Sequence, residues 1–595
     1  MISPTSSSHR PRRRVSILLL AFLGALSCAT PTGSTSDRAS ARTSREAEDP
    51  FPSPAEIDAL GAGPKPEQLL RVETEEVDEW TLGGPLADEV ATAPRTPESP
   101  YEALLDAAVS RRAGLATTDQ AMHCTAREVG RFLLDRGKLP APGLVEFMAA
   151  RCGASAAAVR TAYVNGDVPT AASDAEIVAR WHDSIDATIE QSLAGGPVGA
   201  GLWSGRSGSR VAIVVASSLR RAYVTPFSTV AQDGSVTIEG EVLGPTDAVL
   251  GTINHGRYAA AECAGDATVK LPRFRVTCTL AAEDRTASLE IGSRAPGRIL
   301  SDTVLRALVR RPGEEARTYR RVRYGAARVA ADPGEFAAAV TASLNEVRAR
   351  AGLRALALSK PESEQATQLV PHLVAGSMGL TSPAVADLAV LGLAAGWRVG
   401  GTIRDASVAN AFVWGPPDAG RWLDAALASP SNRRALLDPE ATVIAVGSTS
   451  SDAPPALAGV AATYELFGDE DLPALAARVL ERIARARADA GLPAPQRLDA
   501  AQPLVASAAG ELSRRGVEPT QILGELLPHA SEAAGRPVQG WVTEAFRVEE
   551  IPLPPELTQW SALRVALAVG YRQPAGVPWG RYVVLLVALP PDVSI

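Results

Sequence analysis

The chain has 595 residues, 21% charged and 46% hydrophobic, with 50 glycines and 45 prolines. That is a globular composition, too long for one core and long enough for several domains. Aromatics make up only 5%, so the cores are expected to be small and built from Ala, Val and Leu. A net charge of -8, with arginines scattered among acids, argues against a nucleic-acid surface.

At the N-terminus Arg10, Arg12, Arg13 and Arg14 precede an apolar run over 15–26, and Ser27 and Cys28 close it. This is the layout of an export signal, too short to span a bilayer. The ending Ala25-Leu26-Ser27-Cys28 resembles the bacterial lipobox, with Ala25 where Leu is usual. The resemblance implies cleavage before Cys28 and acylation of that residue with chains such as palmitate. Ala29 in the next position implies sorting to the outer membrane, on its periplasmic or surface-facing side. Cleavage at a plain secretory site nearby is the alternative.

Residues 29–100 are rich in Ser, Thr, Pro and Glu and carry an acidic run, Glu73, Glu75, Glu76, Asp78 and Glu79. With no sustained apolar period, they are expected to form a disordered tether. Binding of a basic partner by the acidic run is the other reading. Beyond the tether four cysteines fall as two local pairs, Cys124 with Cys152 and Cys263 with Cys278. In an oxidising compartment these are two disulfides, each worth roughly 3 kcal/mol. Four buried free thiols are the alternative. No cysteine has zinc-site spacing.

A segment then recurs three times. The clearest copies end Arg348 … Gly352-Leu353 and Arg487 … Gly491-Leu492, and a weaker one ends Arg112 … Gly114-Leu115. Each reads as a helix closed by glycine. A second, Ala-rich helix is expected after each copy, over 122–134, 362–374 and 501–512. Each copy closes on strand-like blocks carrying glycine: 197–201 with 210–215, 443–447 with 455–464, and 565–570 with 581–588. The last is expected to be a hairpin. Helices first and strands last imply an α+β layer. Between the first and second copies, 235–243, 274–280 and 287–291 alternate as strands between turn residues. They fit a small β-sandwich joined by Cys263 and Cys278, or a β-rich extension of the first copy.

In the middle copy Leu344-Asn345, Arg348, Gly352-Leu353, Trp422, Ser429-Pro430-Ser431-Asn432-Arg433, Asp438-Pro439 and Val446-Gly447 resemble the bacterial branch of the CAP superfamily, also called SCP-like. The resemblance implies α-β-α sandwich modules. The family's cleft places two histidines and two glutamates around a metal ion. Here the corresponding positions are Leu369, Gly401 and Asn432, of which Leu and Gly have no donor to offer. His372 lies one helical turn from Leu369 and could compensate, but a partly buried or surface histidine with no metal role is the expected reading. His123, His182, His255 and His529 have no consistent place across the copies.

Other catalytic motifs are missing from the sequence: there is no Gly-x-Ser-x-Gly elbow, no His-Glu-x-x-His and no phosphate-binding Gly-x4-Gly-Lys. The expected organisation is a signal at 1–28, a tether at 29–100, CAP-like modules at 101–221, 321–467 and 468–595, and a β-sandwich at 222–320. No catalytic residue, metal site or cofactor is expected. The chain is expected to act as a non-enzymatic, lipid-anchored scaffold for envelope proteins, cell wall or lipid. A lipid or small-molecule binder is the first alternative and a cell-wall or peptide hydrolase the second.

Overall fold

The structure is a computed structural model and describes residues 51–64, 74–112, 114–296, 301–377, 380–452, 455–468, 471–515 and 517–590. The export signal and Cys28 lie outside them.

The first surprise is the segment expected to be a tether. From residue 51 it is laid along the folded body. Its elements are α1 (Pro54–Asp58), β1 (Thr74–Glu75), β2 (Glu79–Thr81) and β3 (Glu89–Val90). Phe51, Ile57 and Leu82 are buried in the largest core cluster. The acidic run has an internal counterpart. Glu76 lies 2.7 Å from Arg321 and 2.8 Å from Arg421, Asp78 2.6 Å from Arg323, and Glu79 3.3 Å from Arg320. Its basic partner is therefore this chain's own arginine run. Over the described residues from 51 onward the chain is not a free spacer, because distant elements bury its apolar side chains; residues 29–50 of the expected tether lie outside the described residues.

The first module comprises α2 (Pro100–Arg111), β4 (Ala116–Thr118), α3 (Gln120–Arg136), β5 (Leu139–Pro140), α4 (Pro142–Arg151), β6 (Val159–Asp167), α5 (Asp174–Ser192), β7 (Val198–Ser207) and β8 (Arg210–Leu219). Its sheet has the order β4-β7-β8-β6, with β4 parallel to β7 and the rest antiparallel. Alternate residues of β8 point to opposite faces, as a strand requires. Ala212, Val214 and Ala216 meet Met122, Val129 and Phe132 of α3. Val211, Ile213 and Val215 meet Tyr101, Leu105, Ile185 and Ile189 of α2 and α5. Cys124 on α3 is bonded to Cys152 at the end of α4.

The inserted β region contains β9 (Ala222–Val224), β10 (Phe227–Ser228), β11 (Ser235–Val242), β12 (Ala248–His255), β13 (Ala259–Glu262), β14 (Ala264–Gly265), β15 (Arg273–Thr279), β16 (Thr286–Arg294) and β17 (Asp302–Arg310). Two sheets, β14-β15-β11-β9 and β13-β12-β16-β17, face each other. Their shared core includes Ile238, Phe274, Val276, Ile253, Leu289, Ile291 and Leu305. Cys263 and Cys278 are bonded. After it, β18 (Thr318–Arg320) pairs with β2.

The second module runs α6 (Pro333–Arg350), β19 (Ala357–Leu358), α7 (Lys360–Ser377), α8 (Pro383–Ala395), β20 (Ile403–Trp414), α9 (Ala419–Ala428), α10 (Pro430–Leu436), β21 (Val443–Asp452) and β22 (Pro455–Leu466). The third has α11 (Leu472–Asp489), β23 (Gln496–Arg497), α12 (Gln502–Arg515), α13 (Pro519–Ala534), β24 (Gln539–Ala545), β25 (Arg564–Arg572) and β26 (Arg581–Leu589). Their sheets, β19-β21-β22-β20 and β23-β25-β26-β24, repeat the strand order of the first. Both are covered by helices on both faces. Where the second module has α9 and α10, the third has short 3-10 turns at Val548–Glu550 and Pro555–Thr558. The chain is thus α+β, with three α-β-α layers and a β-sandwich.

Two recurring residues explain why the layers repeat. A Cβ on Gly201, Gly447 or Gly570 would lie 1.9, 2.3 or 2.8 Å from the backbone of the second helix of its module. Only glycine lets helix and central strand approach that closely. Arg348 and Arg487 are fully buried at the end of the first helix of the second and third modules, whereas Arg112 of the first module is half-buried. Arg348 donates to the carbonyls of Arg354, Leu436 and Asp438 at 2.8–3.0 Å. Arg487 donates to those of Pro493, Leu557 and Trp560 at 2.6–3.0 Å. Each guanidinium satisfies the loop carbonyls before the hairpin, and burial lowers its pKa.

Candidate functional site

The three cleft positions of the second module do not converge. Leu369 is on α7, buried with Ala445, Ala458 and Ala462 on one face of the sheet. Asn432 is on α10, which covers the opposite face through Leu436 and Ala435. Gly401 precedes β20 with φ +102, and a Cβ there would press on Leu466 at 3.2 Å. Asn432 is bonded to the edge of the sheet, its Nδ2 donating to Asn410 O at 2.7 Å and its Oδ1 accepting from Asn410 N at 3.3 Å. His372 is 94% buried, and its Nε2 lies 3.1 Å from the carbonyl oxygen of Gly61. That nitrogen must carry a proton, so it offers no lone pair to a metal. Among the described residues no cluster of three or more His, Cys, Asp or Glu could hold an ion.

The closing motif at 429–434 has a different use. It is the seam between the second module and the β-sandwich. Ser429 and Ser431 hydroxyls donate to Glu290 of β16 at 3.0 and 2.8 Å. Thr303 also donates to that carboxylate and Arg306 pairs with it at 3.4 Å. Arg433 donates to Gly256 O at 3.1 Å and to the Tyr324 hydroxyl at 2.7 Å, and Arg434 pairs with Glu262. Burial alone would raise the Glu290 pKa, yet Arg306 and the three hydroxyls outweigh it and hold it below its ordinary value.

A second polar group, which sequence reasoning passed over, lines a small pocket in the first module with Pro97, Leu105 and Leu202. His123 on α3 has its Nδ1 at 2.6 Å from Leu202 O, so that nitrogen is the donor and Nε2 keeps a lone pair. Burial, then the charge of Arg95, lowers the His123 pKa and keeps the ring neutral near pH 7. Arg95 engages Glu102 at 3.1 Å, while Asp119 caps α3 and lies 3.3 Å from Arg220. Every charge here has an opposite neighbour. Asp119 as a helix cap was readable from sequence; its meeting with Arg220 was not. The remaining histidines are scattered: His182 is beside Asp183, His255 bonds Thr279 O and His529 is exposed on α13.

Among the described residues no helix is long and apolar enough to cross a membrane. No protein-family profile matches the chain and no curated protein does. Among solved structures, the chain resembles the crystal structure of an extracellular protein containing a SCP domain from Bacillus anthracis strain Ames. The likeness has 12% identity and a TM-score of 0.18, and covers 44% of this chain and 85% of that one. At that TM-score the likeness carries no argument.

Proposed function

We propose that the chain is an exported scaffold of the outer membrane, anchored by lipid at Cys28, that works by binding through divergent CAP-like layers and not by catalysis. The observation that carries this reading is the seam at 429–434. The closing motif, in which the resemblance would set a metal-binding histidine at Asn432, here holds the β-sandwich through Glu290, Gly256 and Glu262, while Asn432 itself bonds Asn410. Two bonded cysteine pairs support an oxidising, extracytoplasmic compartment.

Labelled fatty acid should enter the wild-type chain and not Cys28→Ala, which should also be released from the membrane. Protein purified from membranes should then yield neither metal nor extractable lipid at one equivalent. One equivalent of extractable lipid would replace the scaffold with a lipid binder in an apolar groove. One equivalent of zinc or calcium, lost in His372→Ala, would restore the hydrolase reading.

A further inference from the structure

Residues 51–64 cross the outer side of α7 and α8 and reach the third module. The Phe51 ring lies 4.7 Å from that of Trp579, just before β26, in a tilted contact. Trp397 donates its indole N–H to Pro52 O at 2.8 Å. Ile57 sits over Gly392, where a Cβ would come within 2.9 Å of it. Asp58 lies 3.7 Å from Arg398, and His372 holds Gly61 O. Two of these contacts, from Trp397 and Arg398, belong to the turn that follows α8. That turn opens at Gly396 with φ +64, where a Cβ would be 2.6 Å from the Tyr464 ring.

Beneath the turn lies Glu362, fully buried in the first turn of α7. One carboxylate oxygen accepts the Arg398 backbone N–H at 2.8 Å. The other is buried with no hydrogen-bond partner. The Tyr464 hydroxyl, whose titration this carboxylate affects, is turned to Leu393 O at 2.6 Å. A carboxylate in that setting gains by reaching water, and the piece it holds is the turn that grips residues 51–64.

We propose that residues 51–64 are a clasp on the second and third modules, and that ionisation of Glu362 beneath the turn at 396–398 loosens it. Burial raises the Glu362 pKa to about 7, with the Arg398 N–H and charge opposing, so the change falls near neutral pH. The groups facing this carboxyl are Arg398 from the turn and Tyr464 from β22. Arg398 in turn meets Asp58 of the clasp, Lys360 and Glu364 on α7 are exposed, and His372 farther along α7 donates from Nε2 whether or not its ring is charged. The clasp is independent of the scaffold reading.

Hydrogen exchange of 51–64 in the full chain, corrected for the intrinsic effect of pH, tests it between pH 5.5 and 8.5. Wild type should show exchange rising about tenfold through neutrality. Glu362→Gln should stay at the slow, low-pH rate throughout, and Trp397→Phe should exchange fast at every pH. A wild-type rate without a step, or the same step in Glu362→Gln, overturns the proposal. Should the glutamine variant not fold, the wild type decides alone, since a step centred more than about one pH unit from 7 within that range, or no step, overturns the proposal.

Discussion

Glu290 and Glu362 are both fully buried carboxylates, one in the β-sandwich and one in the second module. They titrate in opposite directions. Glu290 has Arg306 and the hydroxyls of Thr303, Ser429 and Ser431 around it and its pKa is lowered. Glu362 has one backbone N–H, and burial raises its pKa to about 7. Burial sets the cost in each case, and the number of donors decides whether the charge is kept. A seam that must hold two domains together is built the first way. A carboxyl that can release a turn is built the second way.

The largest effect should come from the well-partnered site. Glu290→Ala removes the anion and leaves Arg306 and three hydroxyls facing a hole, which should cost about 4 kcal/mol in urea unfolding. Glu146, at 2.6 Å from Arg306, keeps that arginine partly paired and holds the cost from going higher. A loss below about 1 kcal/mol would mean the seam is not a structural joint. Acid should act at the same place. Because the folded pKa of Glu290 lies below its ordinary 4.5, its contribution is present above that value and fades as pH falls through the lowered one.

Buried cations extend the comparison to groups that meet only carbonyls. Arg348→Met and Arg487→Met should each cost about 3 kcal/mol, since several buried acceptors lose their donor. Equal costs in the two modules, measured by denaturant unfolding, would show that both arginines do the same work although the loops they hold differ. A cost near zero for Arg487 alone would show that the short 3-10 turns of the third module hold themselves.

The under-partnered site should behave in reverse. Glu362→Gln should stabilise the fold at pH 8 by about 2 kcal/mol and change little at pH 5. The sign follows from the raised pKa. The folded state binds the proton more tightly than the unfolded chain, so the stability linked to Glu362 is complete below its ordinary 4.5 and is lost as pH rises through about 7. Stability profiles of the two proteins from pH 5 to 8 should therefore diverge, with wild type falling away.

Much of the fold was legible in the sequence and little of this charge chemistry was. Glycines such as Gly352 and Gly491 stood at helix ends, the strand blocks carried Gly447 and Gly570, and Cys124 and Cys263 each had a near partner, because all of these are local rules. Glu76 looked like part of a solvated acidic run since nothing in its neighbourhood names Arg321 and Arg421 as partners. The cleft positions show the same limit. Aligning Leu369 and Asn432 with a motif assigns them to one site, whereas the helices carrying them pack on opposite faces of the sheet. Glu362 was read only as the start of an Ala-rich helix, and its buried, half-satisfied carboxyl depends on where Arg398 returns.

The smallest expected effect belongs to Asn432. Its side chain makes two hydrogen bonds to the backbone of Asn410 on the outer strand of the sheet, one donated at 2.7 Å and one accepted at 3.3 Å. The site is at the surface, so water replaces much of what is lost, and Asn432→Ala should cost about 1 kcal/mol. Asn432→Asp separates the two bonds. The acceptor for Asn410 N–H survives, while an oxygen now faces Asn410 O, so the aspartate should be at least as costly as alanine above its pKa and recover as it is protonated. Denaturant unfolding at pH 7 and pH 3, each read against wild type at the same pH, checks this. A variant with full stability at both pH values would show that the edge strand does not use Asn432. Loss of a binding function in Asn432→Ala, with stability changed by no more than about 1 kcal/mol, would return this position to a functional site.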